Sequence, residues 1–435
     1  MKPPHCLGVG HRPPLLSLRF PPRGSLRRDL VFSTADAVAY SLMVGCGETY
    51  LPAFALALGL GPIVAGMMAS VPILAGAIVQ LAAPLAVARV GGNRRWVVLT
   101  TAIQGLSFLP FVFWAFRGRA EAWQLLLAAS LYWSAGMAGA PAWTAWTASF
   151  VPARIRTGYF AQRNRLGQAA VFVGFVLGGL MLQTEDTRDS PLVGFALLFT
   201  VAGSARLVST ACLAACREPP RLRQRAARPA TVRQRLLAAV HDMQEQPAGS
   251  LVLFLCCFSF GAQFAAPYFT PYMLEALGFS YGQYLVVFGA GFFVKAALLP
   301  TIGRLGSRLG PWRLLAHASV AIVPLALLWL PSRNLGWLVV VQFLAGTCWA
   351  AYELAVALLI FEIAGDRDRG GIVTAYNLGL AVATVGGAAC GGLILRALGE
   401  TPQAYAVVFA ASSLLRAAAL PLLRHIRQPH IRQPV

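Results

Sequence analysis

Residues 303–313 read GRLGSRLGPWR, and residues 84–95 read PLAVARVGGNRR. Each stretch interrupts a long apolar run. Each is rich in arginine and glycine, and neither holds an acid. Sliding the chain by 219 residues lays Arg89 on Arg308, Gly91 on Gly310, Gly59 on Gly278 and Pro52 on Pro271. The second stretch is therefore a copy of the first, and the fold has to be one that repeats.

The chain has 435 residues, 57% of them hydrophobic and 12% charged. Soluble domains carry about 25% charged residues, so much of this surface faces something other than water. A bilayer core about 30 Å thick is crossed by about 20 apolar residues of helix. Only helices or closed barrels satisfy the backbone there. Twelve helical spans are expected, near 33–57, 62–87, 96–116, 122–150, 159–182, 192–215, 249–275, 282–302, 312–331, 336–364, 372–395 and 404–423. The fold class is thus all-α, with twelve transmembrane helices in two six-helix bundles related by a pseudo-twofold.

The net charge of +20 comes almost wholly from arginine, since Lys2 and Lys295 are the only lysines. With alternating spans, 28 basic residues fall on the side of the amino terminus and five on the other. That asymmetry predicts both termini in the cytoplasm of a multi-pass protein of the cell (inner) membrane. It also removes most of the case for nucleic acid as a partner, because the basic residues are spread over short loops on one face. The expected divisions are a basic tail (1–29), a first bundle (30–216), a cytoplasmic linker (217–248), a second bundle (249–423) and a tail (424–435). The stretch ATVRQRLLAAVHDMQEQ in the linker has the pattern of a helix lying on the inner leaflet. The eight cysteines show no C-x-x-C and no zinc spacing, so no metal or cofactor is expected.

The repeat continues beyond the loops. A shift of 213 residues sets Arg154, Arg156 and Asn164 on Arg367, Arg369 and Asn377. The same shift sets Gly174, Gly178 and Gly179 on Gly387, Gly391 and Gly392, and a shift of 210 sets Arg206 on Arg416. On these residues the chain resembles the major facilitator superfamily of secondary transporters. That family has six plus six helices and a loop close to G-x-L-x-D-R-x-G-R-K between helices 2 and 3, echoed between 8 and 9. Gly303, Leu305, Arg308 and Gly310 match it, as do Arg89 and Gly91 in the first copy. Ser307 and Ala88 stand where the family has an aspartate that locks helix ends together. The resemblance implies a gating role for these loops and for Arg154, Arg156, Arg367 and Arg369. Independently of it, a tight turn between spans uses glycines with free φ, and loop arginines hold to an anionic leaflet.

Gly174 and Gly178, and likewise Gly387 and Gly391, have small-xxx-small spacing, which lets helix backbones approach closely in lipid. The resemblance places spans 5 and 11 against spans 8 and 2 of the opposite half, where smooth contacts would suit a rocking motion. The family's drug antiporters carry a proline after the first glycine. Phe175 and Ala388 stand there, so an antiporter is not implied.

Ionisable residues inside a span cost about 2.5–3.5 kcal/mol on insertion scales and mark functional sites. Glu48, Lys295 and Glu353 are such residues. By the resemblance, helices 1, 4, 7 and 10 line a central cavity and helix 8 flanks it, so the three charges are expected in one pocket. There Lys295 pairs with either acid, and the other takes a proton or a cation. A static pair joining helices is the alternative. Tyr50, Gln80, Gln263, Trp143 and Tyr352 are the candidates to complete the site, with Trp146, Tyr268, Tyr272 and Trp349 beside them. Asp36 is expected to pair with loop arginines. Arg206 and Arg416 are expected to snorkel towards the inner face.

The function implied is transport of a small-molecule solute by alternating access, driven by protons, by a monomer. No nucleotide-binding loop or Ser-His-Asp set points to an enzyme acting on a lipid-linked substrate. A receptor or assembly subunit built on the same fold is the remaining alternative.

Overall fold

The computed structural model describes residues 23–183, 191–218, 237, 248–363 and 369–425. Most of the linker stretch read as a surface helix, the outer loop 184–190 and Arg367 lie outside these residues.

Twelve helices are long and apolar enough to cross a bilayer. In chain order they are span 1 (Leu26–Ala57), span 2 (Gly61–Val90), span 3 (Asn93–Arg117), span 4 (Ala122–Thr147), span 5 (Gln162–Met181) and span 6 (Leu192–Ala215). The second set comprises span 7 (Gly249–Ala276), span 8 (Tyr281–Gly306), span 9 (Pro311–Trp329), span 10 (Leu335–Ile360), span 11 (Tyr376–Ala397) and span 12 (Pro402–Arg424). Aliphatic side chains such as Leu127, Val208 and Leu414 are more than half exposed, as a lipid-facing surface requires.

The two sets repeat one another in detail. Gly59 and Gly278 turn at φ +74° and +66°, and Gly91 and Gly310 at +82° and +80°, a region that favours glycine. Gly303 is different: it lies inside the helix Tyr281–Leu309, so the turn predicted from the whole stretch narrows to Gly310. Arg89 and Arg308 are exposed at these loops, and Arg369 opens the helix Arg369–Ala397. Arg154 and Arg156 lie in the helix Ala153–Met181.

Spans 1 and 7 break at equivalent places, with 3-10 turns at Glu48–Tyr50 and Ala266–Tyr268. At each break a tyrosine leaves its own helix. Tyr50 donates to the Phe175 carbonyl on span 5 at 2.6 Å, and Tyr268 to the Ala388 carbonyl on span 11 at 2.5 Å. These acceptors are the pair that the 213-residue shift superimposes.

The glycine rows make this packing possible. A Cβ on Gly174 would come 2.8 Å from the Leu42 carbonyl, and one on Gly178 would strike the Tyr50 ring. One on Gly45 would collide with the Val171 carbonyl. In the second half, Gly387 and Gly391 face the Phe260 and Phe264 carbonyls in the same way. The expectation that these rows form the contact between halves is thus corrected: they seat spans 5 and 11 on spans 1 and 7 of their own halves. Spans 5 and 8, and 2 and 11, do meet across the molecule, but through bulkier side chains. Leu285 lies against Gly179, and Phe175 packs on Tyr284, Phe288 and Phe292.

The core shows how the halves are joined. One large apolar cluster at the arginine-poor end takes residues from both halves, including Phe54, Phe111, Phe199, Tyr272, Trp329 and Phe409. At the arginine-rich end there are two clusters, one confined to each half. Val97, Trp146 and Leu213 form the first, and Leu255, Phe258, Leu315 and Leu359 belong to the second. The apolar core is thus shared between the halves at one end and divided between them at the other.

Candidate functional site

Glu48 stands at the break in span 1, directly after Gly47. Gly47 is hemmed in by Ala202 and the Phe108 ring, with no room for a Cβ. The helix interrupted here frees the next residues to turn, and Glu48 accepts a hydrogen bond from the Tyr132 hydroxyl on span 4 at 2.6 Å.

A cavity of about 300 Å3 runs from Glu48 between spans 1, 3, 4, 5 and 6. Its polar lining is Asp36, Tyr40, Glu48, Thr101, Gln104, Arg163 and Arg206, and Trp133 and Trp143 form part of its wall. Asp36 is the hub. It accepts from Arg163 Nη2 at 2.8 Å and from the Ser209 hydroxyl at 2.7 Å, and lies 3.9 Å from Arg206 Nη1. Arg206 donates from Nε to Gln104 at 2.8 Å and from Nη1 to Ser209 at 2.7 Å. Its guanidinium also lies 4.7 Å from the Tyr40 ring centroid, and that of Arg163 lies 4.5 Å from Trp143. Both distances are within cation–π range. Buried charges persist when they are paired and hydrogen-bonded in this way.

Three sequence expectations change here. Arg206 is 6% exposed and Arg416 3% exposed, so neither snorkels; each points into its own half. Arg416 reaches the Ser412 hydroxyl at 2.6 Å and the Ile322 carbonyl at 3.0 Å. Asp36 does pair with Arg163, which reaches it from within span 5, and Arg206 completes the set from span 6. The three intramembrane charges do not share a pocket. Lys295 pairs with Glu353 at 2.5 Å, with side chains 33% and 53% exposed, while residues of spans 1 and 3–6 alone line the cavity at Glu48.

Of the remaining candidates, Trp143 lines the cavity. Tyr50 does not: it is wholly buried, because its hydroxyl is spent on the Phe175 carbonyl. Tyr352 is buried too, stacked on Phe258 at 5.2 Å between centroids in the second half's core. Gln263 ends the first segment of span 7, its Cβ against Gly387. Gln80 is half-buried on span 2, outside the cavity. Sequence reading missed Gln104, Tyr132 and Tyr40, and misassigned Arg206. The usable signal was that Asp36 and Arg206 are opposite charges on apolar spans of one half.

A shallower groove of about 790 Å3 over spans 1, 5 and 6 is lined mainly by aliphatic side chains. Val31 and Val208 on it are 60% and 56% exposed. It has the character of lipid-facing surface, and the polar cavity is the better candidate site.

A twelve-span helical protein in two repeated halves, with a charged cavity inside one bundle, has the architecture of a multi-pass membrane transporter. The sequence profile of the Major Facilitator Superfamily matches residues 37–385 and again 251–434, and the chain belongs to that family. Among solved structures it is similar to the nucleoside transporter NupG, with a TM-score of 0.67, 11% identity, and 92% of this chain and 98% of that one covered. A single-residue mutant of NupG gives a TM-score of 0.71 at 12% identity, covering 91% and 99%. FucP, a Major Facilitator Superfamily transporter in the outward conformation, gives 0.58 at 16% identity, covering 93% and 100%. A comparison with curated protein sequences finds no significant match. At these identities the likeness shows the fold.

Proposed function

We propose that the protein carries a small solute across the cell membrane by alternating access, coupled to protons, as a monomer with both termini in the cytoplasm. The observation that carries this reading is the charged cavity at Glu48 within a molecule whose apolar core is shared between the halves at one end and divided at the other. A bundle built only to sit in lipid gains nothing from burying Asp36, Arg163 and Arg206 beside open space. Rocking the halves about the ring contacts between spans 5 and 8 would open one side and then the other.

Glu48 is the proposed proton site. Its only side-chain partner among the described residues is a neutral hydroxyl, so loss or gain of a proton breaks no ion pair. Lys295 and Glu353, half-exposed on the other bundle, are the proposed pair that forms and parts with the motion. The loop arginines Arg89, Arg154, Arg156, Arg308, Arg367 and Arg369 are the proposed gating residues at the inner face, turning on Gly91 and Gly310.

Purified protein in liposomes with an imposed pH gradient tests the reading. Glu48→Gln should abolish the response of uptake or efflux to the gradient, and Glu353→Gln should reduce the rate. Unchanged transport in both variants would remove proton coupling from the account.

A further inference from the structure

Building on the transport reading, we infer that the cavity of the first half is made for a net-neutral heteroaromatic solute, a flat ring with hydrogen-bond donors and acceptors on its edges. Charge is the first argument. With Glu48 ionised, Asp36 and Glu48 are balanced by Arg163 and Arg206. A site for an organic ion would hold an excess of the opposite charge, since an uncompensated ion is costly to bury. A cation would also have to displace a guanidinium from Asp36, which already accepts from Arg163 and Ser209.

The second argument is what the charged groups leave over. Nε and Nη1 of Arg206 are occupied by Gln104 and Ser209, and no described residue accepts from its Nη2. Gln104 uses its oxygen on Arg206, so its amide nitrogen, which lies against Gly136, is a donor. Glu48 has one oxygen on Tyr132 and offers the other as an acceptor. The donor pole therefore sits at Gly136 and the acceptor pole at Tyr132. Their neighbours on span 4, Gly136 and Tyr132, are one helical turn apart.

The third argument is the wall. Tyr40, Trp133 and Trp143 present aromatic surface to the space between the poles, and aromatic faces stack on flat rings. Tyr40 is 39% exposed, so the cavity is entered rather than sealed. Its volume of about 300 Å3 is at the small end for ligand sites.

The test is thermal shift of the full-length protein in detergent against three probe classes at equal concentration. The neutral heteroaromatics are adenine, uracil and nicotinamide; the cations are choline and tetraethylammonium; the anions are benzoate and succinate. At least one neutral heteroaromatic should raise Tm, and the ions should not. Trp143→Ala and Trp133→Ala should each weaken that ligand about tenfold or more (about 1.4 kcal/mol), and Trp143→Phe, which keeps a flat face, should recover most of it. Stabilisation by ions alone, or no shift with any class, overturns the assignment. The two readings fail separately. Transport of a solute without a ring sinks the substrate class and leaves transport standing, whereas ring binding with no flux in liposomes does the reverse.

Discussion

Arg206 and Arg416 occupy equivalent positions on spans 6 and 12, and they live in different company. Arg206 faces a carboxylate, an amide, a hydroxyl and a cavity. Arg416 faces one hydroxyl and one backbone carbonyl, with no carboxylate beside it among the described residues. The position matched to Asp36 by the tyrosine-to-tyrosine shift of span 1 onto span 7 is Phe254, a core side chain. Duplication has kept the frame, meaning turns, breaks and glycine seats, while the polar chemistry has gathered in one copy. A repeated element is thus a guide to architecture, and a departure from the repeat is a guide to the site.

The comparison is most open to breaking at Asp36. Asp36→Ala leaves the buried Arg206 without its carboxylate and takes the partner of the half-buried Arg163, and should cost about 3–5 kcal/mol, seen as a large fall in Tm or a loss of folded protein. Arg416→Met removes a buried charge that has no acid to leave behind, and should stay within about 1 kcal/mol of the parent. Equal losses in the two variants would mean the halves do not differ electrostatically as described.

A smaller effect tests what the halves share. Gly174→Ala and Gly387→Ala each drive a methyl into a backbone carbonyl of the same half. Each should cost about 1–3 kcal/mol by overpacking, and the two should be alike. Measured Tm values that differ widely would show that the seats are not equivalent.

The smallest effect has opposite signs at two glycines of one stretch, Gly303 in the helix and Gly310 at its end. Gly310→Ala forces a Cβ into φ +80°, ψ 155°, a region all but closed to other residues, and should lose about 1 kcal/mol or more. Gly303→Ala sits in a helix with nothing within 4 Å of the new methyl, and should gain up to about 1 kcal/mol. Paired melting curves settle it.

The spans, the loops and the pairing of halves were legible because each is written in local composition: apolar run length, arginine position and recurrent glycine. The site was legible only in part. Glu48 and the Lys295–Glu353 pair stood out as charges in apolar runs. The network at Asp36 did not, because its ligands come from far along the chain: Ser209 lies 173 residues away and Arg163 127. In a soluble helix, amphipathic periodicity tells which face turns inward. Here lipid is as apolar as the core, so the pattern is nearly silent on direction, and Tyr50 and Tyr352 were assigned to a cavity they do not face. The break at Gly47 is likewise set by neighbours, whereas the one at Ala265 has Pro267 as a local signal.

Where Gly45 and Gly174 touch, two main chains lie against each other with no side chains between them. Such a contact has no slack, so spans 1 and 5 cannot slip past one another without a clash or a void. The same holds for spans 7 and 11. A displacement of one half against the other, as the proposed transport requires, would fall at the seam where Phe172 meets Phe293 and Phe175 meets Phe288.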